Sequence, residues 1–233
     1  MRCPYYRHGS VQTCWPCAQE VIERPPTRRC AVCSHPLTDE HPSCGTWLCD
    51  GSRHFRAVHA IGLSRGTLYD VLLRYKRKHG WAPVLARLLV GWLDEHLAAG
   101  GQPWDLITAM PHAPAEHGRA YTPGHLILRL ASDEDPGHPF DVGWPLPAIR
   151  KLRETPSMTG HPAIERERLA QEQLYPALDV ADPARVAGKT VLVVDDFFTT
   201  GHSANMVARR LREAGADAVD NLVFARSLQP WSR

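Results

Sequence analysis

No apolar run in the 233 residues approaches the ~20 needed for a membrane helix, so no membrane segment is predicted. The opening MRCPYYRHGS leads into no apolar stretch, which argues against a secretory leader and makes a cytoplasmic protein the expectation. An excess of charge is also missing. The formal net charge is only +2, which gives no support to broad nucleic-acid or membrane-surface binding. No cysteine occurs after residue 49, and all seven fall within residues 1–49. That distribution points to metal ligands in a separate module rather than to disulfides spread through the chain. The phosphate-loop pattern G-x-x-x-x-G-K-[ST] is absent as well. The length suits one α/β domain with a small appendage, divided here as 1–55 and 56–233.

Within the appendage, Cys14-x2-Cys17 and Cys30-x2-Cys33 are knuckle pairs, while Cys44-x4-Cys49 and Cys3-x4-His8 are wider. Two tetrahedral zinc sites follow from this spacing: Cys3, His8, Cys14, Cys17 and then Cys30, Cys33, Cys44, Cys49. A single zinc on the two knuckle pairs, or reduced cysteines with no metal, are the alternatives. His35 and His41 are rival ligands, each beside a proline. A module this short buries little core, so bound metal would supply its folding energy. Arg24, Arg28 and Arg29 could meet nucleic acid, but a solvated surface is the preferred reading of them.

What is present in the larger part centres on residues 191–203, VLVVDDFFTTGHS. Four apolar residues read as a buried parallel strand. Asp195 and Asp196 follow, then two phenylalanines and the polar run Thr199, Thr200, Gly201, His202, Ser203. Met206, Val207, Arg210 and Leu211 then recur at helical spacing. A strand, polar loop and helix in that order put the loop at the carboxyl end of the sheet, where α/β folds bind ligands. Hydroxyls and backbone N–H groups at a helix N-terminus suit a phosphate, and the adjacent carboxylates suit hydroxyls or a metal. An apolar run ending in Asp is by itself common. Receiver domains begin the same way, but they need a lysine further on, and none follows Asp196.

All thirteen positions resemble the phosphoribosyl pyrophosphate (PRPP) signature of type I phosphoribosyltransferases, although His202 stands where a small residue is usual. The fold implied is α/β, a parallel sheet flanked by helices, with the small N-terminal zinc-binding module attached. Together with the cysteines, the chain resembles ComF-type proteins. Tyr75-Lys76 and Gly80 loosely echo that family's Lys-Tyr-x-Gly run, and Gly118-Arg119-Ala120-Tyr121 its Arg-Gly-Phe-Asn run. The resemblance implies that Asp195 and Asp196 hold the ribose hydroxyls and that Thr199–Ser203 holds the 5′-phosphate. It places Pro111, His112 and Arg119 near pyrophosphate, with Mg²⁺ arriving on PRPP. The closing loop departs from the family, because Met158 stands at a Gln position and no Asn precedes Tyr175.

The same resemblance implies transfer of phosphoribose to a nitrogen acceptor. It also implies a competence role with a helicase-like partner or single-stranded DNA. A non-catalytic PRPP- or nucleotide-binding protein is the alternative from another class. A zinc-based nucleic-acid adaptor is a third.

Several local expectations complete the reading. Val58 and Ala60 lie on a strand, followed by a helix with Leu68, Val71, Leu72 and Tyr75 on one face. Thr67 is its expected cap. A second helix from Pro83 has Leu85, Leu88, Leu89, Trp92, Leu93 and Leu97 as its core face. The cations Arg74, Lys76, Arg77 and Lys78 read first as a helix end complementing its dipole. Residues 131–145, polar and rich in Pro and Gly, read as an exposed loop. His112, His117 and His125 are a weak candidate metal set. The zinc module is expected to cover the site.

Overall fold

The computed structural model describes residues 14–112, 122–143, 145–158 and 160–228. In chain order the elements are α1 (Trp15–Gln19), α2 (Trp47–Asp50), β1 (Val58–Leu63), α3 (Gly66–Arg77), α4 (Ala82–Ala98) and β2 (Leu106–Ala109). Then come α5 (Pro123–Glu134), β3 (Arg150–Lys151), α6 (Ala163–Leu169), β4 (Leu178–Asp179), β5 (Thr190–Phe198), α7 (His202–Glu213) and β6 (Ala218–Arg226).

The main sheet has the order β1-β6-β5-β2, and every pairing is parallel. Its central strand β5 is apolar on both faces, as a strand covered on two sides must be. Leu192 and Val194 enter one core with Leu85, Leu89 and Leu93 of α4 and Leu128 of α5. Val191 and Val193 enter the other core with Val207 and Leu211 of α7. Burying each such side chain contributes ~1.5–3 kcal/mol relative to leaving it exposed. The fold class expected from the sequence is therefore present: a parallel sheet flanked by helices.

The cysteine region packs directly on the second core. Cys33, Leu48 and Phe55 share it with Val191, Val193 and Phe198. The backbone N–H of Val58 donates to the carbonyl of Val32 at 2.7 Å, which closes part of the free edge of β1. A short antiparallel pair, β3 with β4, sits apart from the main sheet.

Three local expectations change. Arg65, not Thr67, is the N-cap of α3, and no side chain caps that end. Leu97 lies in the last turn of α4 and is 38% exposed, because the helix has run past the sheet it covers. Asp141, in the stretch expected to be exposed, is buried. Its carboxylate accepts from Thr108 Oγ1 at 2.8 Å and from the Ala148 N–H at 2.7 Å, and it pairs with Arg185 at 3.0 Å. These contacts hold the Asp141 carboxyl well below the usual carboxylate range. Burial opposes that shift, and the His125 ring and the other donors overcome it.

Candidate active site

Strand register explains how the site assembles. Ala109, the last residue of β2, is the partner of Val194, and Asp195 pairs with Val223 of β6. The chain leaving β2 through Met110 and Pro111 therefore comes alongside the carboxyl end of β5. His112 arrives with Nε2 3.2 Å from Asp195 Oδ1. From the other side, α3 delivers Lys76, whose Nζ lies 2.7 Å from Asp196 Oδ2 and 4.8 Å from the Phe197 ring centroid. Lys76 thus reaches the acids from the last turn of α3, where Arg74 and Arg77 also lie as the helix-end reading expects.

Electrostatics follow from that crowding. Asp196 has its pKa raised, by burial first and by the adjacent Asp195 second, against the lowering effect of His112 and Lys76. Burial would lower the pKa of His112, but the hydrogen bond to Asp195 and the fields of both carboxylates raise it. The His112 side chain is 44% exposed, so the carboxylates outweigh the loss of solvent. Lys151 on β3 donates to the His112 carbonyl and to Thr155 Oγ1, each at 2.9 Å. Burial lowers its pKa, and Asp195 counters that. Sequence reasoning missed Lys151. Its signal is three-dimensional, since the β3–β4 pairing carries it to the site.

A cavity of about 250 Å³ opens beside the acids. Its walls include Tyr75, Ile127, Val194 and Phe224, and Lys76 and His112 also line it. Tyr75 is fixed by donating its hydroxyl to the Pro123 carbonyl at the start of α5. Among the described residues, none of the cavity lining comes from the cysteine module. The described part of the module packs against the loop, with Leu48 beside Gly201 and Phe55 against Phe198.

The polar loop occupies 199–201, between β5 and α7. Gly201 is the N-cap of α7, with φ +86° in the left-handed region that favours glycine. A Cβ there would come 2.5 Å from Phe198 Cζ and 2.8 Å from Leu48 Cδ1. The first N–H groups of α7, on His202, Ser203 and Ala204, have no carbonyl one turn back within the helix. Thr199, Thr200 and Ser203 are part-exposed, whereas the His202 side chain is buried and contributes only its backbone to the loop surface. Ser203 Oγ lies 3.2 Å from Met158 Sδ, so the segment carrying Met158 reaches this loop. Phe198 is buried edge-on against Phe55 at 6.1 Å, which removes it as a base-stacking surface.

Among the described residues three side-chain groups could hold metal, one of them the surface set Asp94, Asp135 and His138 away from the cavity. His112, Asp195 and Asp196 offer ligand atoms within 4.8 Å of one another. Cys30, Cys33, Cys44 and Cys49 do the same. The Cys30 and Cys49 sulfurs stand 3.8 Å apart, too far for a disulfide. Sulfurs around a tetrahedral zinc at about 2.3 Å stand about 3.8 Å from one another. The donor set and spacing therefore fit structural zinc. Cys14 and Cys17 begin and enter α1, but Cys3 and His8 lie outside the described residues. So does Arg119, expected near pyrophosphate, and so does His117.

No protein-family model matches the chain. Over 74 residues it is 38% identical to orotate phosphoribosyltransferase of Nocardioides sp. (strain ATCC BAA-499 / JS614), covering 32% of this chain and 40% of that protein. A solved structure of the allosteric regulatory enzyme of purine biosynthesis aligns with 56% of this chain and 24% of its own, at TM-score 0.33 and 23% identity. The chain thus spans less than half the length of each of these two proteins. Similarity to a phosphoribosyltransferase, in sequence and over about a third of the chain, is the finding.

Proposed function

We propose that the chain is a phosphoribosyltransferase-like protein that binds PRPP with Mg²⁺ and transfers phosphoribose to a nitrogen acceptor. The observation that carries this reading is the end of β5. Two adjacent carboxylates there face a cavity, one step before a left-handed glycine loop that opens α7. Backbone N–H groups of the loop, with the Thr200 and Ser203 hydroxyls, would hold the 5′-phosphate. Asp195 and Asp196 would accept hydrogen bonds from the ribose 2′ and 3′ hydroxyls.

Lys76 and His112 orient those acids and offset their mutual repulsion while leaving oxygen lone pairs for the sugar. Departure of pyrophosphate breaks the bond at ribose C1 and leaves positive charge on the ring, which the paired carboxylates favour. His112, with Asp195 and Asp196, has the donor set to stand beside a divalent cation. Bound Mg²⁺ supplies charge neutralisation at the leaving pyrophosphate. The nitrogen acceptor then bonds to C1 and gives up its proton. The test is incubation with PRPP, Mg²⁺ and a panel of nucleobases, reading pyrophosphate. Release that depends on one base supports transfer. No PRPP binding at all overturns the reading.

One observation favours a second reading, binding without turnover. Met158, a thioether where ComF-type proteins carry a Gln, touches Ser203 of the loop and offers no N–H donor to a phosphate. Tight PRPP binding with no pyrophosphate from any acceptor would select it. The ComF resemblance adds competence, with a helicase-like partner or single-stranded DNA, to either reading. Salt-sensitive binding of single-stranded DNA that survives Asp195→Asn but fails on zinc chelation would instead indicate the adaptor role.

A further inference from the structure

Arg226, the last residue of β6, is 1% exposed, among the largest fully buried side chains of the molecule. Its guanidinium has no direct part in the chemistry proposed above. It joins two places far apart in sequence. Nε donates to the Cys33 carbonyl at 2.8 Å, and Nη2 lies 3.7 Å from the Cys33 sulfur. Nη1 donates to the carbonyls of Phe198 at 3.1 Å, Thr199 at 3.2 Å and Ser227 at 2.6 Å. One planar fork therefore spans a cysteine of the four-sulfur cluster and the first residue of the phosphate loop.

A buried guanidinium needs a compensating charge. Among the described residues its oxygen acceptors are all carbonyls, and the negative group beside it is the cluster. Four thiolates outweigh a dication, so a zinc-loaded cluster carries net negative charge beside Arg226. Two apolar contacts follow the same route. Leu48, next to Cys49, and Phe198 leave no room for a Cβ at Gly201, and Phe55 packs edge-on against Phe198. A third link is polar. The His54 N–H donates to Asn205 Oδ1 at 2.7 Å, in the first turn of α7.

We propose that Arg226 is a positioning residue through which metal in the Cys30/Cys33/Cys44/Cys49 cluster sets the geometry of the phosphate loop. Metal holds Cys33 in place, Cys33 and its charge hold the guanidinium, and the guanidinium holds the Phe198 and Thr199 carbonyls. The loop N–H groups are then aimed at the phosphate. In its ligand, though not in its structural core, the proposal rests on the PRPP reading above.

The test compares zinc-loaded protein, chelator-treated protein and zinc-loaded Arg226→Lys. Hydrogen exchange is followed in peptides covering 197–206, with α4 peptides as the control for global unfolding. Metal content is measured in each sample. Metal removal should speed exchange of the loop N–H groups while α4 stays protected. Arg226→Lys keeps the charge and loses the fork, so it should show the fast loop with zinc still bound. Loop exchange that ignores metal removal overturns the proposal, as does an Arg226→Lys loop that behaves like wild type.

PRPP binding is measured separately. Linkage requires that saturating PRPP tighten zinc, in equilibrium competition with a chelator, by the factor, roughly tenfold, by which zinc tightens PRPP. Metal-dependent loop exchange without PRPP binding removes the functional reading and leaves the coupling standing. PRPP binding with zinc affinity unchanged removes the coupling and leaves the functional reading standing.

Discussion

Two pairs of aspartates sit in different settings in this molecule. Asp141 and Asp220 are buried, and each is met by several donors. Asp220 accepts from Arg56 Nε at 3.0 Å and from Trp104 Nε1 at 2.9 Å, and Asp141 has Thr108, two backbone N–H groups and Arg185. Asp195 and Asp196 have one half-exposed cation each, His112 and Lys76, one backbone N–H each at 2.8 and 2.7 Å, and each other for a neighbour. The first pair is built to be satisfied. The second is left with spare acceptor capacity and mutual repulsion beside a cavity, as a site for a hydroxylated ligand requires. The difference predicts that the two pairs fail in different ways.

The largest expected effect is on chemistry. Asp195→Asn keeps the shape and removes the charge, so pyrophosphate release should fall about 100- to 1,000-fold, ~3 kcal/mol of transition-state stabilisation. Its Tm should stay near wild type. A variant with normal release would break the comparison, because Asp195 would then be structural.

Next in size are the buried acids. Asp141→Ala leaves Thr108, the Ala148 N–H and Arg185 without an acceptor and should cost ~3 kcal/mol. Asp220→Ala should cost less, ~2 kcal/mol, because the Arg56 side chain is 57% exposed and can be rehydrated while Trp104 cannot. Urea midpoints check both values and their order. Asp141 also makes the fold acid-sensitive. Its depressed pKa means its stabilisation is present above the ordinary carboxylate value of ~3.9 and is lost as pH falls through the folded value. Wild type should therefore lose more stability on acidification than Asp141→Asn. Parallel losses would show that Asp141 is not the group responsible.

Gly201→Ala is smaller. The left-handed backbone costs ~1–2 kcal/mol for a residue with a Cβ, and that atom would also press on Phe198 and Leu48. Loss of ligand affinity larger than the loss of stability would show that the loop geometry, rather than the fold, carries phosphate binding.

The two pairs also differ in how far the sequence discloses them. Asp195 and Asp196 were legible because the change from a strand pattern to a helix pattern occurs within a few residues of them. The cysteine cluster was legible from spacing for the same reason. Lys76 and Lys151 were not, since the docking of α3 and the β3–β4 pairing bring them in. Arg226 reads as an ordinary strand end until Cys33 is placed against it. Asp141 misled because polar, Pro/Gly-rich loops are usually solvated, and its partners Thr108 and Arg185 are 33 and 44 residues away.

The smallest effect has the opposite sign and sharpens the contrast most. Asp196 has a raised pKa, so the fold disfavours its charge. That penalty is absent below the ordinary carboxylate value of ~3.9 and grows as pH rises through the folded value. Asp196→Asn removes it at neutral pH. The variant also loses the Lys76 ion pair, but Lys76 is 51% exposed, and such pairs contribute ~0–1 kcal/mol. Asp196→Asn should therefore raise Tm slightly at pH 7, and its advantage should vanish near pH 4. Asp141→Asn should lower Tm at pH 7, hold that deficit down to about pH 4, and recover toward wild type only below the ordinary carboxylate value of ~3.9. Melting curves of Asp196→Asn between pH 7 and 4, and of Asp141→Asn below pH 4, test the contrast directly. Curves that move in the same direction would mean that the paired acids at the end of β5 carry no strain of the kind a binding site retains.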